Sequence, residues 1–111
     1  MRKIVSLNNP DNEIKRLMLY TNNNETYLFW FKTLCDSSSD WDEWYEWEID
    51  AIERCIKDFK INPSDWEIIP DPYEDCQDDW INPVRLKSNK DGIKISWKFE
   101  KLINGKWIDF E

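Results

Sequence analysis

Eight tryptophans in 111 residues, joined by four tyrosines and five phenylalanines, constrain the fold of this chain more than any other feature. A large ring removes much apolar surface from water, so a small domain can assemble its core from few of them. Disordered chains are poor in aromatics, and global disorder is not expected here even though 34% of the residues are charged. The length is that of one ordinary domain, and 41% apolar residues suffice for one core. The expectation is therefore a single acidic α+β domain over residues 1–111.

Local patterns suggest the elements. Residues 3–7 read as a first strand, closed by the turn cluster Asn8-Asn9-Pro10-Asp11-Asn12. The apolar runs 14–20 and 26–34 flank Thr21-Asn22-Asn23-Asn24-Glu25 and predict an N-terminal hairpin. Residues 66–69, between Pro63 and Pro70, predict a short strand, and 70–83 an acidic, irregular connection. Further on, Ile93, Ile95, Trp97 and Phe99 alternate with Lys94, Ser96, Lys98 and Glu100, the period of a strand with one wet face. Asn104-Gly105 fits a type I′ turn, whose two central residues both need positive φ. Segments 84–87, 92–103 and 106–110 thus predict a C-terminal meander. The fold class expected is α+β: a mainly antiparallel sheet, built from hairpin and meander, packed by one amphipathic helix at about residues 40–60.

Ser37-Ser38-Ser39-Asp40 offers N-cap candidates for that helix, and Asp40 with Glu43 has the spacing of a capping box. Carboxylates crowd its first half, while Arg54, Lys57 and Lys60 close the second, an order that complements the helix dipole. Asn62-Pro63 supplies the stop. At about 100° per residue, Trp41, Tyr45, Ile49, Ile52, Cys55, Ile56 and Phe59 form the stripe expected to face the sheet, with Trp44 and Ala51 on its flank. Trp47 projects the other way, among Glu43, Asp50 and Arg54, where Arg54 could stack on it. Glu48 projects into the apolar stripe, so it must sit at a rim or find a hydrogen-bonded or basic partner.

The formal net charge of −8 is unevenly spread. Residues 36–80 hold 16 carboxylates against three basic side chains, a net −13, whereas 1–35 carry +2 and 81–111 carry +3. Such a surface repels nucleic acid and anionic membranes and steers basic partners toward itself. No segment has the apolar length of a signal peptide or a membrane span. Three cysteines at wide spacing do not make a disulfide framework, and a cytoplasmic location is expected.

Histidine is absent, which removes Ser–His and Cys–His nucleophile activation and His-based acid–base chemistry together. No Gly-rich phosphate loop is present and no catalytic residue is nominated. The acidic stretch 71–80 lacks the alternating ligands and central glycine of a calcium loop, so neither a metal nor a cofactor is implied. What the chain offers is carboxylates interleaved with rings, in two groups: Asp40, Glu43, Trp44, Glu46, Trp47 and Asp50, then Tyr73, Glu74, Asp75, Asp78, Asp79 and Trp80. The function expected is that of an acidic protein-binding module, not an enzyme. It would occlude the basic surface of a nucleic-acid-handling protein as an inhibitor or immunity protein, acting as monomer or weak homodimer. The alternatives are a general interaction protein whose acidity serves solubility, and small-ligand or carbohydrate binding on an aromatic platform.

Overall fold

The computed structural model describes residues 1–8, 13–23, 25–88 and 91–110, at 95–97 and 110 in backbone only. The expected mainly antiparallel α+β fold is present, with one helix among the described residues and two sheets, of five and three strands. The chain gathers into two compact units, Met1–Asp71 and Pro72–Glu111.

The first unit holds the five-stranded sheet. Its strands are β1 (Arg2–Ser6), β2 (Arg16–Asn22), β3 (Glu25–Phe31), β4 (Trp41–Tyr45) and β5 (Glu67–Ile69), in the spatial order β4-β3-β2-β1-β5. Every pairing is antiparallel. The predicted hairpin is β2–β3, in register from Arg16↔Phe31 to Asn22↔Glu25, and Asn23 takes a left-handed φ of 46° in its turn. The turn cluster predicted at 8–12 lies largely outside the described residues.

Helix α1 (Glu48–Phe59) starts eight residues later than the predicted 40. Residues 41–45 pair with β3 instead, from Thr26↔Tyr45 to Trp30↔Trp41. Two physical causes combine. Trp and Tyr suit a pleated surface, and the apolar edge of β3 offers a ladder that a helix would forgo. The Ser37–Asp40 segment caps no helix: the Asp40 carboxylate accepts from the Lys32 N–H at 2.7 Å. The N-cap residue is Trp47, extended at φ −122° and ψ 133°, with no side-chain cap. Glu48 and Asp50 in the first turn and Lys57 in the last complement the dipole as expected. The helix closes on Lys60 at φ 56°, whose N–H reaches the Ile56 carbonyl at 3.1 Å.

The buried stripe of α1 is rotated from the predicted one. Ala51 and Cys55 are fully buried and Ile52 and Phe59 pack beside them, whereas Ile49 and Ile56 face water. A helix that starts at residue 48 approaches the sheet along Ala51 and Cys55, where small side chains let the backbone come close. Against this face lie Val5, Leu17, Leu19 and Leu28, with Ile14 and Ile61 completing the core. On the sheet's opposite face Met18, Phe29 and Phe31 are also withdrawn from water.

The second unit is the predicted meander: β6 (Val84–Ser88), β7 (Lys94–Ile103) and β8 (Lys106–Phe110), in that spatial order. Asn104 and Gly105 have φ of 51° and 79°, both positive as a type I′ turn demands. Most of the alternation expected along β7 rests on side chains 95–97, outside the described residues, and Ile93 is exposed. Arg85 stacks over Trp107 at 3.7 Å and bonds to Glu100 at 2.7 Å.

Leu28 sits fully buried on β3, between β2 and β4 and beneath the helix. Leu28→Ala is expected to lower unfolding free energy by about 2–5 kcal/mol, measured by urea denaturation, with the m-value unchanged.

Candidate functional site

The densest run of exposed rings and unpaired carboxylates falls where β4 passes into α1. Trp41, Trp44 and Trp47 are 59%, 56% and 60% exposed. Asp42, Glu46, Asp50 and Glu53 are exposed as well and form no ion pair among the described residues. The register explains this display. Strand residues alternate between faces, so Trp41, Glu43 and Tyr45 share the helix side of β4, while Asp42 and Trp44 point to the other side. Trp47 stands at the corner before the first helical turn, and Asp50 and Glu53 lie three apart on α1, hence on neighbouring positions of its surface.

Beneath this surface a cation holds strand and helix together. Arg54 lies between Glu43 (Nη1 to Oε2, 3.2 Å) and Asp58 (Nε to Oδ2, 2.9 Å), with its guanidinium 5.2 Å from the centre of the Trp30 ring. The Nε–H is not aimed at the Asp58 oxygen, so that contact is a Coulombic one rather than a hydrogen bond. The partner of Arg54 is thus Trp30, not Trp47 as the helical projection suggested. Glu43 also accepts from the Tyr45 hydroxyl at 2.7 Å. Burial, reinforced by that bond to a carboxylate, pushes the Tyr45 phenol up to about 12.

The residues nominated from sequence therefore separate. Glu46, Trp44, Trp47 and Asp50 are displayed together at the β4–α1 junction. Asp40 is exposed but holds the Lys32 N–H, and Glu43 is turned inward to Arg54 and Tyr45. Tyr73, Glu74, Asp75, Asp78, Asp79 and Trp80 belong to the second unit. There Tyr73, Glu74, Asp75 and Asp78 are exposed, Asp79 and Trp80 half-buried, and Lys101 lies 5.4 Å from the Trp80 ring. Asp78, Asp79 and Trp80 each engage in an interaction within the chain. Glu48 has the partners its position required: Thr21 Oγ1 donates to it at 2.9 Å and Lys3 Nζ lies at 3.4 Å.

Four members of the displayed surface lie outside the residues expected to bind: helical periodicity places Trp41 and Ile49 in the buried stripe, and Asp42 and Glu53 are not among the carboxylates nominated. The segment Trp41-Asp42-Glu43-Trp44-Tyr45 carries no local strand signal, because its apolar residues fall at the i, i+3, i+4 spacing of a helix; only the pairing with β3 places Asp42 at the sheet edge. A concavity of about 650 Å³ opens elsewhere on the unit, lined by Leu7, Phe59, Lys60, Asp65 and Glu67 among others. None of the exposed tryptophans lines it. Among the described residues no three Cys, Asp or Glu are grouped to hold a metal ion. Burial raises the thiol of Cys55 to about 12, which keeps it protonated and inert. Comparison with known proteins finds no family model, no curated protein and no solved structure that matches this chain.

Tyr45 and Cys55 share one pH consequence. Both hold their proton more tightly folded than unfolded, so their contribution is complete below the ordinary values of about 10 and about 9 and disappears as pH rises through about 12. Thermal melts from pH 8 upward are expected to fall in that window. Tyr45→Phe should flatten the upper part of the decline and remove a phenol that ionises at about 12 from a tyrosinate absorbance titration.

Proposed function

We propose that this chain is a protein-binding module whose acidic, tryptophan-bearing surface at the β4–α1 junction occludes a basic surface of another protein. The observation that carries the reading is the display of Trp41, Trp44 and Trp47 within seven residues, interleaved with Asp42 and Glu46 and followed by Asp50. Exposed carboxylates draw a cationic surface across a Debye length of about 8 Å and raise the encounter rate. Tryptophans then provide the ring area that, once desolvated, carries most of the binding free energy of an interface. A basic groove built to hold phosphates is the natural complement. The module thus acts as an inhibitor or immunity protein against a nucleic-acid-handling protein, in a compartment that keeps its three cysteines reduced.

Two features weigh against a carbohydrate platform. Stacking on a sugar needs rings presented side by side, and Trp41 and Trp44 project from opposite faces of β4. The 650 Å³ concavity, where a small ligand could be enclosed, is lined by no exposed tryptophan. Acidity kept only for solubility would give no reason to leave three tryptophans in water, because exposed rings favour association.

The test uses the product of the gene neighbouring this one as the partner. Its affinity is expected to fall at least about tenfold between roughly 0.05 and 0.5 M salt, chiefly in the association rate. Trp47→Ala and Trp44→Ala should each cost about 2 kcal/mol or more, and Asp42→Lys with Asp50→Lys should slow association. Salt-independent binding, or tryptophan quenching by a saccharide with no protein partner, would count against the proposal.

A further inference from the structure

The β4–α1 surface is also an open sheet edge, and we propose that its partner docks there as an extended basic segment that adds a strand to β4. This inference rests on the reading of the surface as a docking site for a cationic protein, and supplies the geometry of capture.

Backbone parity shows which groups are on offer. The Phe31 carbonyl accepts from the Lys15 N–H at 2.8 Å, on the β2 side, and the Trp30 carbonyl accepts from the Asp40 N–H at 2.8 Å, on the β4 side. Alternate residues of a central strand serve alternate neighbours, so Thr26, Leu28 and Trp30 serve β4. Their register partners Tyr45, Glu43 and Trp41 direct their own backbone groups inward. The N–H and C=O of Asp42 and Trp44 consequently point away from β3, and among the described residues β4 is the last strand on that side. An added strand bonds to these four groups.

The side chains suit such an occupant and disfavour others. Trp41 and Trp44 lie on opposite faces of β4 and, both exposed, can close on an added strand from above and below. Residues 40–46 contain Asp40, Asp42, Glu43 and Glu46 and no cation, so a second copy of β4 would bring carboxylates against carboxylates. A lysine or arginine directly across from Asp42 completes an ion pair on the shared face, and an apolar residue two positions away meets Trp44. The recognised segment therefore alternates, with basic and apolar side chains two residues apart. The opposite edge is a poorer site, since β5 has three residues and ends at Pro70.

The experiment titrates the whole protein with an acetylated, amidated peptide of about ten residues in which lysine and valine alternate at every second position with threonine between them, and with an equally charged control carrying proline in place of valine. The alternating peptide is expected to bind at least about tenfold tighter and to slow amide exchange at Asp42 and Trp44 but not at Ile68. Equal affinities, or protection elsewhere, would overturn strand addition and leave the cationic-partner reading standing. Failure of both peptides to bind at low salt would overturn both. Protection of the same amides on concentrating the protein alone, with a dimer in sedimentation, would assign the edge to a second copy and overturn the proposal. Asp42→Pro against Asp42→Ala isolates the backbone donor, because both lose the carboxylate and only proline loses the outward N–H. Proline should weaken the alternating peptide about fivefold more than alanine does; equal losses would again overturn strand addition.

Discussion

The ladder between β3 and β4 is the interaction on which the rest of the first unit depends. Pairing Trp41–Tyr45 with Thr26–Trp30 fixes the most acidic part of the chain as the border of the sheet. It also sets where the helix can begin, because residues held in a ladder cannot wind. Once α1 starts at Glu48, it lies over β3 and β4 with Ala51 and Cys55 against Leu28 and its neighbours. Arg54 then falls between Glu43 of the strand and Asp58 of its own helix, above Trp30. This cation ties strand to helix at a place where the carboxylates alone would push them apart. Its side chain is about one-third exposed, so its contribution is that of a partly screened network and not of a buried pair.

Legibility in the sequence followed the range of the interactions. The β2–β3 hairpin and the β7–β8 turn were readable because their turn residues, Asn23 and Asn104-Gly105, impose the connection locally. Residues 41–45 were not. Trp41, Tyr45 and Ile49 recur at the i, i+4 spacing of a helix, and nothing local reveals that β3, ten residues upstream, will claim them. The same error propagated into the helix. Including Trp41 and Tyr45 drew the expected apolar stripe toward Ile49 and Ile56, whereas the helix that forms buries Ala51 and Cys55 and leaves both isoleucines wet. Helical geometry predicts an outward Trp47; it is outward because it stands at the N-cap, ahead of the first helical turn. Trp41 shows the converse, an aromatic assigned to the core by periodicity and left in water by an edge.

The charge of the central segment is less concentrated than its sum suggests. Glu43, Glu48 and Asp58 each face a cation, and Asp65 is held in the capping box that starts the short 3₁₀ turn Pro63–Asp65. Asp71 faces the N-terminal ammonium of Met1 at 3.1 Å, and Glu74, Asp75, Asp78 and Asp79 belong to the other unit. A net −13 read along the chain thus reduces, at the β4–α1 junction, to Asp42, Glu46, Asp50 and Glu53 with the partly engaged Asp40. That smaller set is the one a partner would meet.

An exposed edge strand with tryptophans on both faces is a hazard to any protein that carries it, since unpaired N–H and C=O groups invite a copy of the same strand. Charge of one sign resolves the conflict. Carboxylates at positions 40, 42 and 46 make self-pairing unfavourable while leaving the backbone groups of Asp42 and Trp44 accessible to a strand of opposite charge. Lysines would protect the edge against self-pairing just as well, so protection alone does not select the sign. A negative edge admits basic segments and excludes nucleic acid, and a positive one would reverse both choices. The sign of the charge at β4 therefore sets which kind of partner can approach, and the two outward tryptophans set how firmly it can be held.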